Sequence, residues 1–237
     1  EGVFLGSGET PPHIGFLFPG QGSPTHLDGG AWCRRFETVR ELYARAGLST
    51  ETDTISTRVM QPAIATASLA GLKVLAEFGL TAGVAIGHSL GELAALHWAG
   101  AYSEEALLRI ARVRGAAMAN LSGPTGAMVA LSAPWQKVQP LLGNEPLSIV
   151  GYNSPRQTVV AGEVAAIARL EERAVAQGWL ASRLPVSHAF HTMLVAEILP
   201  AFRQQLTREK FSPLGRPVIS TITGAALEAD ADLRALL

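Results

Sequence analysis

A single cysteine, Cys33, among 237 residues excludes an internal disulfide and fits a reducing compartment. No run of five basic residues occurs. With a net charge of −1 and an isoelectric point near 6.7, the sequence lacks the electrostatic footprint of a nucleic-acid binder. The opening residues Glu1-Gly2-Val3-Phe4-Leu5-Gly6 have neither a basic region nor a long apolar core, so they do not read as a signal peptide. No continuous apolar stretch approaches the ~18 residues of a membrane span. Aspartate is absent between Ser89 and His191, and no third Cys, His or Asp is spaced to complete a metal site with His188 and His191. The expectation is a cytoplasmic protein without metal, membrane or nucleic-acid partner. At 48% hydrophobic and 16% charged residues, the chain can bury one sizeable core with a smaller second unit.

What is present is organised around Gly87-His88-Ser89-Leu90-Gly91. Val84-Ala85-Ile86 before it reads as a buried strand, and Glu92 to Ala99 after it reads as a helix stopped by Gly100. Strand, tight Gly-flanked turn and helix form the context of a nucleophile elbow, which lifts a hydroxyl clear of the sheet. A turn whose serine merely caps the helix fits the same five letters.

Upstream, residues 1–12 read as a linker or tail. Ile14–Phe18 is a strand running into the Gly-rich turn Pro19-Gly20-Gln21-Gly22-Ser23-Pro24. Trp32–Ala46 is expected to be one helix, and Gln61-Pro62 to open another that ends at Gly79. Beyond Ser103, a fair N-cap, a helix places Leu107, Ile110, Ala111, Ala117, Met118 and Leu121 on one face. Arg114 falls in the middle of that apolar face. A guanidinium there needs an anion, supplied either by a protein carboxylate or by a substrate.

Residues 127–187 change rhythm. Strands at Met128–Leu131, Leu147–Val150, Thr158–Ala161 and Ala181–Val186 alternate with helices at Pro134–Leu142 and Val164–Gln177. This β-α-β-β-α-β order is the ferredoxin-like pattern, inserted into a larger α/β unit. The expected fold is an α/β-hydrolase-like parallel-sheet core, residues 1–126 and 188–237, with a ferredoxin-like small subdomain at 127–187 and a ligand cleft between them. Met193–Leu206 is then a helix that can bend at Pro200, and Pro217–Thr223 a strand.

A serine nucleophile needs a base. His188 and His191, at the exit of the insertion, are the candidates, while the side chain of His88 is expected to point elsewhere. A hydrolase triad sets its acid between Ser and His in chain order. The missing aspartate argues against that arrangement and for a backbone carbonyl as the group that orients the imidazole. A serine thioesterase or esterase of α/β-hydrolase type remains the alternative.

Taken together, Gly20-Gln21-Gly22-Ser23, Gly87-His88-Ser89-Leu90-Gly91-Glu92, Arg114 and His188-Ala189-Phe190-His191 resemble the acyltransferases that move malonyl groups from coenzyme A to acyl carrier protein. The likeness is to the acyltransferase domains of type I polyketide synthases. It covers residues 14 to about 224, with the family's Ser-to-Arg spacing between Ser89 and Arg114. The resemblance implies Ser89 as nucleophile, His191 as base, and the backbone N–H groups of Gln21 and Leu90 as oxyanion hole. It implies Arg114 on the malonyl carboxylate, with Gln61, Phe190, His188 and Asn153 at the substrate site, and an orienting carbonyl near Thr221. It implies malonyl-CoA and the phosphopantetheine thiol of acyl carrier protein as reactants, a flanking ketosynthase in a multidomain synthase, and no permanently bound cofactor. The malonyl form of the motif has Phe190 where methylmalonyl forms have Ser. Pro24 departs from the family's usual Gln, and the sequence ends before the family's last sheet strand.

Overall fold

The computed structural model describes residues 13–48, 56–121, 126–186 and 188–237. The expected linker at 1–12 lies outside them. In chain order the elements are β1 (Gly15–Phe18), α1 (Gly30–Arg35), α2 (Glu37–Ala46), α3 (Thr57–Glu77), β2 (Val84–Gly87), α4 (Gly91–Trp98) and α5 (Glu104–Ala119). There follow β3 (Gly126–Leu131), α6 (Trp135–Leu142), β4 (Leu147–Ser154), β5 (Gln157–Glu163), α7 (Val164–Ala176) and β6 (Ala181–Arg183). A 3₁₀ turn (Met193–Ile198), α8 (Leu199–Arg208), β7 (Val218–Ser220), β8 (Ala225–Ala226) and α9 (Leu233–Leu236) complete the described chain.

Two four-stranded sheets result. The first has the order β1-β2-β7-β8, with β1, β2 and β7 parallel and β8 turned back antiparallel. Phe18 stands opposite Gly87, and Gly87 opposite Ser220, so three chain segments leave the sheet side by side at one carboxyl edge. That edge is where ligands bind in open α/β sheets. The second sheet is antiparallel in the order β4-β5-β3-β6, with α6 and α7 packed on it.

α4 explains the first core. It is apolar nearly all round, and such a helix has to be buried. Gly91 to Leu96 and Trp98 are buried, α4 lies against β1, β2 and β7, and α3 and α5 pack against it. The apolar face read on α5 forms: Leu107, Ile110, Ala111 and Met118 are buried. A second cluster, including Val129, Leu131, Val160, Ile167 and Leu170, fills the space under α6 and α7. A third joins α5 to the small sheet: Met118 of α5 and Phe190 pack with Met128, Val159 and Ala161 of that sheet.

Several boundaries differ from the sequence reading. The helix expected over Trp32–Ala46 breaks at Phe36, whose φ of −118° and ψ of 118° are extended. Its ring packs edge to face on Phe78 of the α3 end, a tertiary contact that periodicity cannot register. The helix expected to open at Gln61-Pro62 begins a turn earlier, with Ser56 as N-cap. Pro62, six residues in, costs only the bond to Arg58 O near the helix start. Ala181–Val186 pairs only as far as Arg183. The bend near Pro200 is a junction at Leu199 between a 3₁₀ turn and an α-helix. By length and composition α3 would also qualify as a membrane span, but most of its most apolar window is packed inside the fold.

Candidate active site

Ser89 stands two residues beyond the end of β2, and Leu90 is the N-cap of α4. The turn between them is crowded. A Cβ on Gly91 would run into the carbonyl of Phe18, and one on Gly20 would stand 3.5 Å from Cβ of Ser89. The glycines therefore let the β1 loop close over the elbow. Ser89 itself has φ 53°. Among the described residues, the only other non-glycine with positive φ is His191, at 63°. Such conformations persist only where the surroundings over-determine them, and they gather at functional sites.

These two strained residues meet. Ser89 Oγ lies 2.8 Å from His191 Nε2. For Nε2 to accept the hydroxyl proton, the ring proton must sit on Nδ1. The ring is held well below its ordinary pKa, at about 4, by loss of hydration first and then by the charges of Arg114 and His88. His191 is still reachable from solvent, as a base that meets substrate has to be. The His88 ring lies against Gly20 and makes no hydrogen bond to Ser89.

Because the imidazole is neutral down to about pH 4, acylation kcat/KM, which reports the free enzyme, is expected to stay level below neutrality. It falls only as the pH drops through about 4 and the ring takes a proton. A pH–rate profile of acylation checks this; an acid limb near the ordinary 6.5 would mean a hydrated, uncoupled ring.

Arg114 comes from α5 and is turned inward, while Arg109 and Arg112 of the same helix face outward, Arg109 in a bidentate pair with Glu209. Among the described residues no carboxylate lies within ion-pair reach of Arg114. Burial without that compensation lowers its pKa to about 10, so it remains a cation at neutral pH. Its Nη1 donates instead to Gln61 Oε1 at 2.9 Å. Gln61 is 1% exposed on α3. Helices α3 and α5 cross closely here: Thr57 Oγ1 donates to Gly115 O at 2.8 Å, and a Cβ on Gly115 would stand 2.5 Å from Thr57 O.

The remaining expected residues fall as follows. The backbone N–H groups of Gln21, in the turn after β1, and of Leu90 take part in no hydrogen bond among the described residues; that of Leu90 is an orphan donor at a helix start. Phe190 is buried, and its ring centre lies 6.1 Å from that of the half-buried His188, whose pKa burial lowers. Asn153 sits on the β4–β5 hairpin, exposed, donating to Gln157 Oε1 at 3.1 Å; it lines a surface recess with Trp135 and Tyr152 and makes no hydrogen bond to Ser89, His191 or Arg114. Thr221 does not offer His191 a carbonyl bond. Its N–H and Oγ1 are instead bound to the carboxylate of Glu92. Glu92, 1% exposed, also accepts from Ser220 Oγ and Ile222 N, all through Oε1. It ties the elbow helix to the turn after β7. A charged residue in the first turn of an otherwise apolar helix was the only signal for it.

A separate apolar cavity of about 540 Å³, lined by Phe16, Phe18, Trp32, Tyr43, Ile64 and Leu72 among others, contains none of these groups. No group of three His, Cys, Asp or Glu among the described residues is arranged to hold a metal.

A strained serine at the carboxyl edge of a parallel sheet, bonded to a neutral imidazole and followed by a helix start whose first N–H takes no partner among the described residues, defines a serine enzyme of acyl chemistry. A family model described as acyl transferase domain matches residues 39–230, and the chain belongs to that family. It is 30% identical to polyketide synthase GfsB of Streptomyces halstedii over 97% of this chain and 4% of the relative. It is 32% identical to spectinabilin polyketide synthase system protein NorB of Streptomyces orinoci over 94% of this chain and 10% of the relative. The chain therefore spans a small part of the curated relatives' length.

Among solved structures, the acyltransferase domain of an iterative polyketide synthase in enediyne biosynthesis matches with a TM-score of 0.79 and 36% identity, over 94% of this chain and 53% of that one. The malonyl CoA-acyl carrier protein transacylase of Clostridium perfringens matches with a TM-score of 0.86 and 28% identity, over 95% and 77%. The family is one of acyl transfer, which favours that reading over an esterase.

Proposed function

We propose that the chain transfers a malonyl unit from malonyl-CoA, through a seryl ester on Ser89, to the phosphopantetheine thiol of an acyl carrier protein. The observation that carries the malonyl assignment is Arg114. It is an inward guanidinium with no protein carboxylate among the described residues, close enough to His191 to depress its pKa. A buried cation without an internal anion suits a substrate that brings one, and a guanidinium fork holds a carboxylate by two parallel hydrogen bonds.

Ser89 Oγ attacks the thioester carbonyl carbon as its proton passes to His191 Nε2. The backbone N–H groups of Gln21 and Leu90 hold the oxyanion; removing one such donor typically costs ~10²–10³ in rate. The C–S bond then breaks, and His191 returns the proton to the departing thiolate. The carrier's thiol enters and repeats the steps in reverse. On this reading the large sheet is an α/β-hydrolase-like core, residues 1–126 and 188–237, and residues 127–187 are a ferredoxin-like subdomain closing one wall of the cleft. The order β4-β5-β3-β6 supports that topology. The setting is a cytoplasmic polyketide synthase with a ketosynthase alongside, and the enzyme needs no permanently bound cofactor.

Phe190, buried in the cluster that joins α5 to the small sheet, fills on this reading the space an α-methyl group needs. Exclusion of one methyl is worth ~1–3 kcal/mol, or about 10–200-fold. Competitive acylation by a mixture of malonyl-, methylmalonyl- and acetyl-CoA, read by intact mass, is expected to give mainly the malonyl ester. Phe190→Ser is expected to raise the methylmalonyl share by up to that factor; an unchanged share removes the steric argument.

A further inference from the structure

The side chains between the anion site and the oxyanion loop form a continuous line. Arg114 Nη1 can only donate, so the Gln61 amide must present Oε1 to it, at 2.9 Å. That choice fixes the other end of the amide. Gln61 Nε2 faces away and donates to Gln21 Oε1 at 3.2 Å and to Met118 Sδ at 3.0 Å. Gln21 is the residue to whose backbone N–H the proposed mechanism gives half of the oxyanion hole. The helices carrying Gln61 and Arg114 are locked where Gly115 meets Thr57, so a shift of the guanidinium is taken up by side chains rather than by the crossing.

We propose that Gln61 is a positioning residue that couples the occupied state of Arg114 to the placement of Gln21, so that a substrate carboxylate improves the oxyanion hole as well as holding the acyl group. The coupling rests on the malonyl-transfer reading above. With a carboxylate on its free N–H groups, Arg114 is fixed, Gln61 is fixed against it, and the Gln21 side chain is held in turn. With an acyl group that lacks a carboxylate, the guanidinium has among the described residues the Gln61 amide alone, and the line is slack. Binding energy from the remote carboxylate is then expressed in the chemical step rather than in ground-state affinity.

The test is single-turnover acylation of the purified chain by malonyl-CoA and by acetyl-CoA, resolved into maximal rate and half-saturating concentration. Gln61→Met, close in volume but unable to bridge, is expected to lower the malonyl-to-acetyl ratio of maximal rates by about tenfold, the worth of a hydrogen bond or two. Gln21→Met cuts the same line from its other end, in an accessible loop, and is expected to lower the ratio alike. In an Arg114→Ala background neither change is expected to move the ratio further, since the signal has no source. Equal losses for both substrates, a loss confined to half-saturation, or full additivity with Arg114→Ala would overturn the coupling and leave malonyl transfer standing. A wild-type chain that forms no malonyl ester would overturn the functional reading, and the coupling with it.

Discussion

With alanine at position 89, the protein is expected to gain no malonyl adduct from malonyl-CoA, and transfer to carrier protein is expected to fall by on the order of 10⁶-fold. The expectation follows from the covalent route. The 2.8 Å contact to His191 Nε2 gives one hydroxyl a base, and the positive φ of Ser89 presents it above the sheet edge. Among the described residues no other hydroxyl or thiol is bonded to that base. Intact-mass measurement after mixing decides the matter. An adduct that persists in Ser89→Ala would move the nucleophile elsewhere; transfer that stays at the wild-type rate would place the serine outside the chemistry. Because the elbow is held by Gly91 against Phe18 and by Glu92 against the turn after β7, removal of one oxygen is not expected to unfold it.

Arg114→Ala has the second-largest expected effect. Removing one partner of a buried charge pair costs about 3–5 kcal/mol, so malonyl transfer is expected to fall by roughly 10²–10⁴-fold. Acetyl-CoA, which has no carboxylate to leave stranded, is expected to be affected far less, and relative to malonyl-CoA it becomes the better substrate. The same substitution removes one of the charges that depress His191, so the imidazole pKa is expected to rise from about 4 toward its ordinary value. The acid limb of the acylation profile moves up with it. Malonyl kinetics that stay unchanged would make Arg114 a structural cation.

The elbow, the Gly-rich turn, the β-α-β-β-α-β insertion and the odd placement of Arg114 were all legible in the sequence, because each is a local pattern. Glycines flanking a serine, alternation of strand and helix, and a charge at an apolar helical position are visible within one or two turns of chain. The break at Phe36, the earlier start of α3 and the shortened β6 were not, since ring packing on Phe78 and the limits of strand pairing come from residues far away in sequence.

The site divides the same way. The sequence by itself determined which groups were available: one serine in a tight turn, two candidate histidines, one inward arginine and no aspartate between Ser89 and His191. Only the tertiary structure decided that His191 is the histidine bonded to Ser89, that Arg114 meets an amide and no carboxylate among the described residues, and that Glu92 claims the Thr221 N–H. The physical reason is distance along the chain. Ser89 and His191 stand 102 residues apart, and Glu92 and Thr221 129 apart. The register of the parallel strands β2 and β7 brings Glu92 to Thr221, and the close crossing of α3 and α5 brings Arg114 to Gln61; no local run of residues encodes either.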